Sequence, residues 1–186
     1  MRTIWQGSDS LLLVKFPKQL DWKDYIYAIK LRIFAKFCDK FACEHYCCGE
    51  LTMNNLKEFG MKKPLIDFRT PIDQSLKIDK IQHDTFNILY YFPKRTKLRE
   101  WIYGWDIFSK IRTHFNANDG IRFIIVSGKN DMKNVYPYID LMIRPNRHDG
   151  YSRMVGECEL NDIPYYWSNE NPKILEIVNL INKMTE

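Results

Sequence analysis

Short apolar runs alternate with stretches of helical periodicity along most of this chain, and that alternation restricts the fold more than any other feature. "FNILYYF" (86–92), "IRFIIVSG" (121–128), "IDLMIRP" (139–145) and "IPYYWS" (163–168) have the length and the β-branched or aromatic character of buried strands. "KLREWIYGWDIFSKIRTHF" (97–115) and "YSRMVGECEL" (151–160) lie between them with helical spacing. "PKILEIVNLINKMT" (172–185) closes the chain as a helix, with Pro172 at its start, where the missing N–H costs nothing. The first half repeats the theme. "TIWQGSD" (3–9) reads as a strand ending in a turn and "LLLVK" (11–15) as a second short strand. A helix runs from Asp21 to Cys38, followed by the strand "FACEHYCC" (41–48), the helix "GELTMNNLKEFG" (49–60) stopped by Gly60, and the strand "PLIDFRT" (64–70). Strands apolar on both faces, alternating with helices, predict an α/β fold with Rossmann-like parallel sheets and helices on both faces.

The polar connector "IDQSLKIDKIQHDT" (72–85) separates two halves, so we expect a short α/β lobe over 1–78 and a second Rossmann-like lobe over 79–186. Sheets of this kind bind ligands beyond the carboxyl ends of their strands, which points to the loops after Phe92, Gly128 and Pro145. The formal charge of +5 suits an anionic small ligand, a phospholipid surface or nucleic acid about equally. No nucleic-acid motif accompanies it, and no nucleic-acid partner is expected. Nor does any run approach the ~20 apolar residues of a membrane span. The odd number of cysteines, five, points to reduced thiols and a cytoplasmic protein. Cys38, Cys43, His45 and Cys47 lack the spacing of a zinc knuckle, so no metal site is expected.

The segment "NRHDGYSRMVGE" (146–157) follows a strand and opens a helix. Gly150 would let a ligand approach the main chain, and the N–H groups of Tyr151, Ser152 and Arg153 would face a phosphate at the helix start. Arg144, Arg147 and Arg153 surround the position with positive charge. Asp149 sits in the loop and Glu157 lies two turns into the helix, beside Met154 and Leu160, where sugar hydroxyls would satisfy a carboxylate. A purely structural role is equally available: Asp149 caps the helix and Glu157 pairs with Arg153, four residues earlier. His148, in the same loop, reads as a surface residue rather than a catalyst.

Asp149-Gly150, Glu157 eight positions after the first acid, and "CELNDIPYYWS" (158–168) resemble the donor-site motif of the retaining glycosyltransferases of the GT-B fold, built from two Rossmann-like lobes. "WQGSD" (5–9) and "LTMNNLKEFGMKKPLIDFRTPID" (51–73) are similar to segments of that family's acceptor lobe. The likeness spans nearly the whole chain, although only the last segment is specific. It implies Asp149 and Glu157 as the catalytic acids, the first at the donor sugar and the second at the ribose. It also implies donor contacts from Lys94, Arg95, Arg144, His148, Gly150, Tyr151, Ser152 and Glu157. Three departures stand out. The first acid is Asp rather than Glu, Asp162 replaces a glycine before the last strand, and Pro93-Lys94-Arg95 with Lys97 stand where the family has Gly-Arg and Lys. The first lobe is also short.

The resemblance therefore implies a glycosyltransferase that takes a nucleotide sugar and transfers the glycosyl group with retention. No metal or other cofactor is expected, and no Asp-x-Asp pair occurs in the chain. The alternative is the donor-binding half of a split transferase, or a non-catalytic remnant, that needs a partner chain on residues 1–75. The aromatic helix at 22–37 would then carry the contact, with another chain, with a second copy, or peripherally with a membrane.

Overall fold

The computed structural model describes residues 2–5, 9–93, 96–115, 120–168 and 170–186. They form two compact units: Met1–Pro71 joined by His148–Tyr151, and Ile72–Arg147 joined by Ser152–Glu186. The first unit thus ends at Pro71, against an expected limit of 78, and it takes in four residues of the acid–Gly loop. Each unit is an α/β layer structure with a wholly parallel sheet.

In the first unit β1 (Arg2–Trp5), β2 (Glu44–Cys47) and β3 (Leu65–Asp67) lie in the order β1-β2-β3, with Trp5 opposite Cys47 and Cys47 opposite Asp67. The helices are α1 (Asp9–Val14), α2 (Trp22–Phe41) and α3 (Glu50–Phe59). Trp5, Leu13, Ala35, Cys38, Cys47 and Leu56 form the core. The run "LLLVK", expected as a strand, is largely α1. A short apolar run has no period that separates strand from helix. Here Asp9 in the first turn favours the helix, which buries Leu11, Leu12 and Leu13 together. Asp21 caps α2 by accepting from the amides of Lys23 and Asp24. Gly60 ends α3 in the left-handed conformation, φ 89°, returning its N–H to Leu56.

The second unit contains β4 (Phe86–Tyr91), α4 (Lys97–Ile102), α5 (Trp105–His114), β5 (Ile121–Val126), β6 (Leu141–Pro145), α6 (Arg153–Leu160), β7 (Tyr165–Ser168) and α7 (Ile174–Thr185). Its strand order is β5-β4-β6-β7. Because side chains alternate across a strand, the sheet has two cores. Ile88, Tyr90, Leu141 and Ile143 pack with Phe108 and Ile111 of α5 and Ile177 and Ile181 of α7. Leu89 and Met142 face the other way, onto Val155 and Cys158 of α6. Helices therefore cover both faces, as the alternation of strands and helices predicted.

The helix expected over 97–115 is two helices, broken at Gly104. That residue has φ 66°, and a Cβ there would lie 2.0 Å from the carbonyl oxygen of Pro145. Glycine alone satisfies both conditions, and the chain turns at this point. Asp162, which occupies the position of an expected glycine, adopts φ 55° and pairs with Lys77 at 3.1 Å. Asp is among the few side chains that tolerate this region.

Candidate functional site

Strand order locates the candidate site in the second unit. From β4 the chain moves to one side for β5, then returns past β4 to β6 and continues to β7. The direction reverses between β4 and β6, the position at whose carboxyl end sheets of this kind bind ligands. Tyr91 ends β4 and Arg144 lies one residue from the end of β6. The Arg144 guanidinium sits over the rings of Tyr91 and Tyr103, 5.5 Å from each centroid, with an Nη1 contact to the sulfur of Met154 at 4.0 Å. The aromatic faces hold the cation in place. It remains a source of positive potential, lowering the pKa of the Tyr90, Tyr136 and Cys158 groups against the larger effect of burial.

Glu157 is 5% exposed and has a partner on each oxygen. The Tyr136 hydroxyl donates to Oε2 at 2.5 Å, and Arg153 Nη2 donates to Oε1 at 3.3 Å. Burial, and then the bond to Glu157, push the Tyr136 hydroxyl far above its ordinary range. Tyr136 is therefore a neutral donor held against a carboxylate. It lies at the end of "SGKNDMKNVY", and only tertiary packing brings it to Glu157. The Arg153 pair is the one the four-residue spacing offered. Arg153 itself is exposed, so it can swing toward a ligand.

Beside this, Cys158 is pushed up to about 12 by burial and then by the charges of Glu157 and Glu159, so it is a thiol at neutral pH and no nucleophile. Cys47 of the first unit is pushed up to about 11, chiefly by burial. No cluster of three or more His, Cys, Asp or Glu able to hold a metal occurs among the described residues.

Arg147 is turned away from this group. Its two Nη atoms grip Asp106 at 2.7 Å each, and Nη1 also donates to the carbonyl of Trp101 at 2.9 Å. The fork on Arg147 holds the Asp106 carboxyl below its usual range. Lys94 and Arg95 lie outside the described residues, as do Gln6, Gly7 and Ser8 of "WQGSD".

His148, Asp149, Gly150 and Tyr151 belong to the first unit. A Cβ on Gly150 would stand 2.3 Å from the Cys48 carbonyl oxygen and 3.0 Å from Thr52 Oγ1. The close approach that requires glycine is thus to the first unit's own backbone, where a ligand had been expected. The Tyr151 N–H, expected to face a phosphate, donates to the Cys48 carbonyl at 3.2 Å. Its ring stacks beneath Arg69, 4.9 Å from the guanidinium carbon. Asp149 is buried, and Ser152 stands at the N-cap of α6 with no side-chain cap bond.

His148 is no surface residue: it is 3% exposed. Its Nε2 lies 2.9 Å from the Nδ2 of Asn55, which also donates to Ser10 Oγ. An amide N–H can only donate, so Nε2 accepts and the ring proton belongs on Nδ1. Burial brings the His148 pKa down to about 4, Lys15 adds to the effect, and Asp149 opposes it. The ring is neutral at physiological pH.

No family model matches the chain, and no curated protein matches it. Among solved structures it is similar to Anabaena Alr3699/HepE in complex with UDP and glucose, with a TM-score of 0.63 and 12% sequence identity over 93% of this chain. It is equally similar to the same protein in complex with UDP-glucose, at a TM-score of 0.62 and 12% identity. The chain spans 60% of the length of those structures. At that identity the likeness establishes the fold: Rossmann-like parallel sheets flanked by helices.

Proposed function

We propose that this chain is a glycosyltransferase that binds a nucleotide sugar at the β4–β6 switch point of the second unit. The observation that carries the reading is the fold likeness, over 93% of the chain, to a protein crystallised with UDP-glucose. The acid–Gly and Glu157 spacing supports it from the sequence. Arg144 then faces the diphosphate and stabilises the charge that develops as the glycosidic bond to phosphate breaks, a role electrostatics serves best from a fixed cation. Tyr91 and Tyr103 hold that cation before the ligand arrives, so little ordering is left to pay on binding. Glu157, with Tyr136 fixing one oxygen, presents the other to the ribose hydroxyls once Arg153 moves toward the phosphates. Lys94 and Arg95, which follow β4 in sequence, add positive charge to the diphosphate in this reading. Transfer proceeds with retention, and the cations take the place that a bound metal ion has in other transferases.

The test is calorimetric titration of the whole chain with UDP, GDP, ADP and UDP-glucose, repeated on Arg144→Met and Glu157→Gln. One nucleotide should bind, and each variant should weaken it by about tenfold or more, the value of one charged hydrogen bond. Failure of all three nucleotides to bind would overturn the proposal. Binding of the sugar nucleotide without turnover on any offered acceptor would assign the chain the donor-holding role alone.

A further inference from the structure

Helix α2 is built inside out. Its inner side carries Ala28, Ala35 and Cys38, all buried, while its large apolar residues point to solvent. Trp22, Ile26, Ile29, Ile33 and Phe37 recur at intervals of three and four and so form one stripe. Trp22 is 69% exposed, Ile33 66% and Phe37 56%, and Phe34 and Phe41 lie exposed alongside. An apolar groove of about 430 Å³, walled by Ile4, Trp5, Leu31 and Phe34, extends the surface between α2 and β1. A stripe of this size is not left to water without a use.

Charge decides what covers it. Lys23, Lys30, Lys36 and Lys40 are exposed among and beside the apolar residues. Both carboxylates within the helix lie on the inner side, in register with Ala28 and Ala35. Asp24 is half-buried, and Asp39 pairs with His45 and accepts from the amides of Lys62 and Lys63. The outer face of α2 is therefore aromatic and aliphatic, cationic, and free of the helix's own carboxylates. The carboxylate lining the groove, Asp9 of α1, accepts from the Tyr27 hydroxyl at 3.3 Å. Lysine is depleted from the centres of protein–protein interfaces. Lysine interleaved with Trp, Phe and Ile is instead what an interfacial helix presents, its ammonium groups reaching headgroups while the stems and rings enter the acyl boundary. At 20 residues α2 would lie about 30 Å along such a surface. Among the described residues no helix is long and apolar enough to cross a membrane, so the contact is one of lying on the surface.

We infer that the outer face of α2 docks the protein on an anionic phospholipid surface. The inference is independent of nucleotide binding. The experiment is co-sedimentation of the whole chain with vesicles of phosphatidylcholine alone and of phosphatidylcholine mixed with phosphatidylglycerol, at low and high salt. Binding should favour the anionic vesicles by at least about tenfold and weaken as salt is raised. Ile33→Glu with Phe37→Glu should abolish it. Lys23→Glu with Lys30→Glu should lower it by about tenfold or more on anionic vesicles and leave any weak binding to neutral ones unchanged. All four positions are exposed, and far-ultraviolet circular dichroism confirms that the variants fold. Equal binding to both vesicle types, or binding that survives Ile33→Glu with Phe37→Glu, would overturn the inference. So would self-association in gel filtration that the same double variant abolishes without any vesicle binding, since a second copy would then be the occupant.

Discussion

The neutral, buried His148 makes the protein's stability fall with acid in a calculable way. Its pKa is about 4 in the fold against an ordinary 6.5. Above pH 6.5 the ring is neutral in both states and contributes nothing to the pH dependence. Below it the unfolded chain takes up a proton that the fold refuses, so stability drops as pH falls toward 4 and then levels. The full difference is about 3 kcal/mol, and about 2 kcal/mol of it is lost by pH 5. The cause is chiefly burial, which disfavours the charged ring, and the Lys15 charge adds to it. The Asn55 amide donates to Nε2, so protonation there also removes that hydrogen bond. Urea unfolding at pH 7.5 and pH 5, followed by tryptophan fluorescence, measures the effect. His148→Gln keeps an acceptor for Asn55 but cannot titrate, so subtracting its pH dependence isolates the histidine from the carboxylates. An imidazole resonance of His148 titrating near 6.5, or equal pH dependence in the two proteins, would refute the reasoning.

Gly104→Ala should cost about 3 kcal/mol or more, since a Cβ meets the Pro145 carbonyl at 2.0 Å and the backbone is left-handed as well; thermal unfolding reads it. Gly150→Ala meets the Cys48 carbonyl at 2.3 Å without the conformational penalty and should cost about 1–3 kcal/mol in the same assay. Tyr136→Phe removes the donor to a buried carboxylate and should cost about 1.5–3 kcal/mol in urea unfolding, and adding Glu157→Gln should recover part of that loss. Asp106→Ala breaks a fork whose acid is mostly exposed, so its effect should stay within about 1 kcal/mol and shrink with added salt.

Much of the fold was legible because strand and helix periods differ. The strands of the second unit are long enough for their apolar runs to be read directly, and β4, β5 and β6 fall where the alternation put them. Where a run was too short to have a period, as at Leu11–Leu13, burial in the folded unit chose helix over strand. Gly104 looked like any residue within a helical stretch. Its meaning comes from the Pro145 carbonyl packed against it, a contact distant in sequence. The candidate site divides in the same way. The four-residue spacing offered the Arg153–Glu157 pair, and the residue types identified Arg144 as a candidate cation. The tyrosines that cage Arg144, and the Tyr136 hydroxyl on Glu157, come from other elements and become visible only when β4 and β6 lie side by side.

The sequence by itself determined the alternation of strands and helices, the excess of positive charge and the acid–Gly–Glu spacing, because each is a local property of neighbouring residues. Tertiary structure alone decided that Gly150 and Tyr151 pack on the Cys48 carbonyl, that His148 is buried and neutral, and that the large side chains of α2 face outward. Periodicity reveals that a helix has an apolar stripe. Which side the core covers is settled by packing, and here the small face, Ala28 and Ala35, is the one buried, with α1 the element that α2 approaches closely.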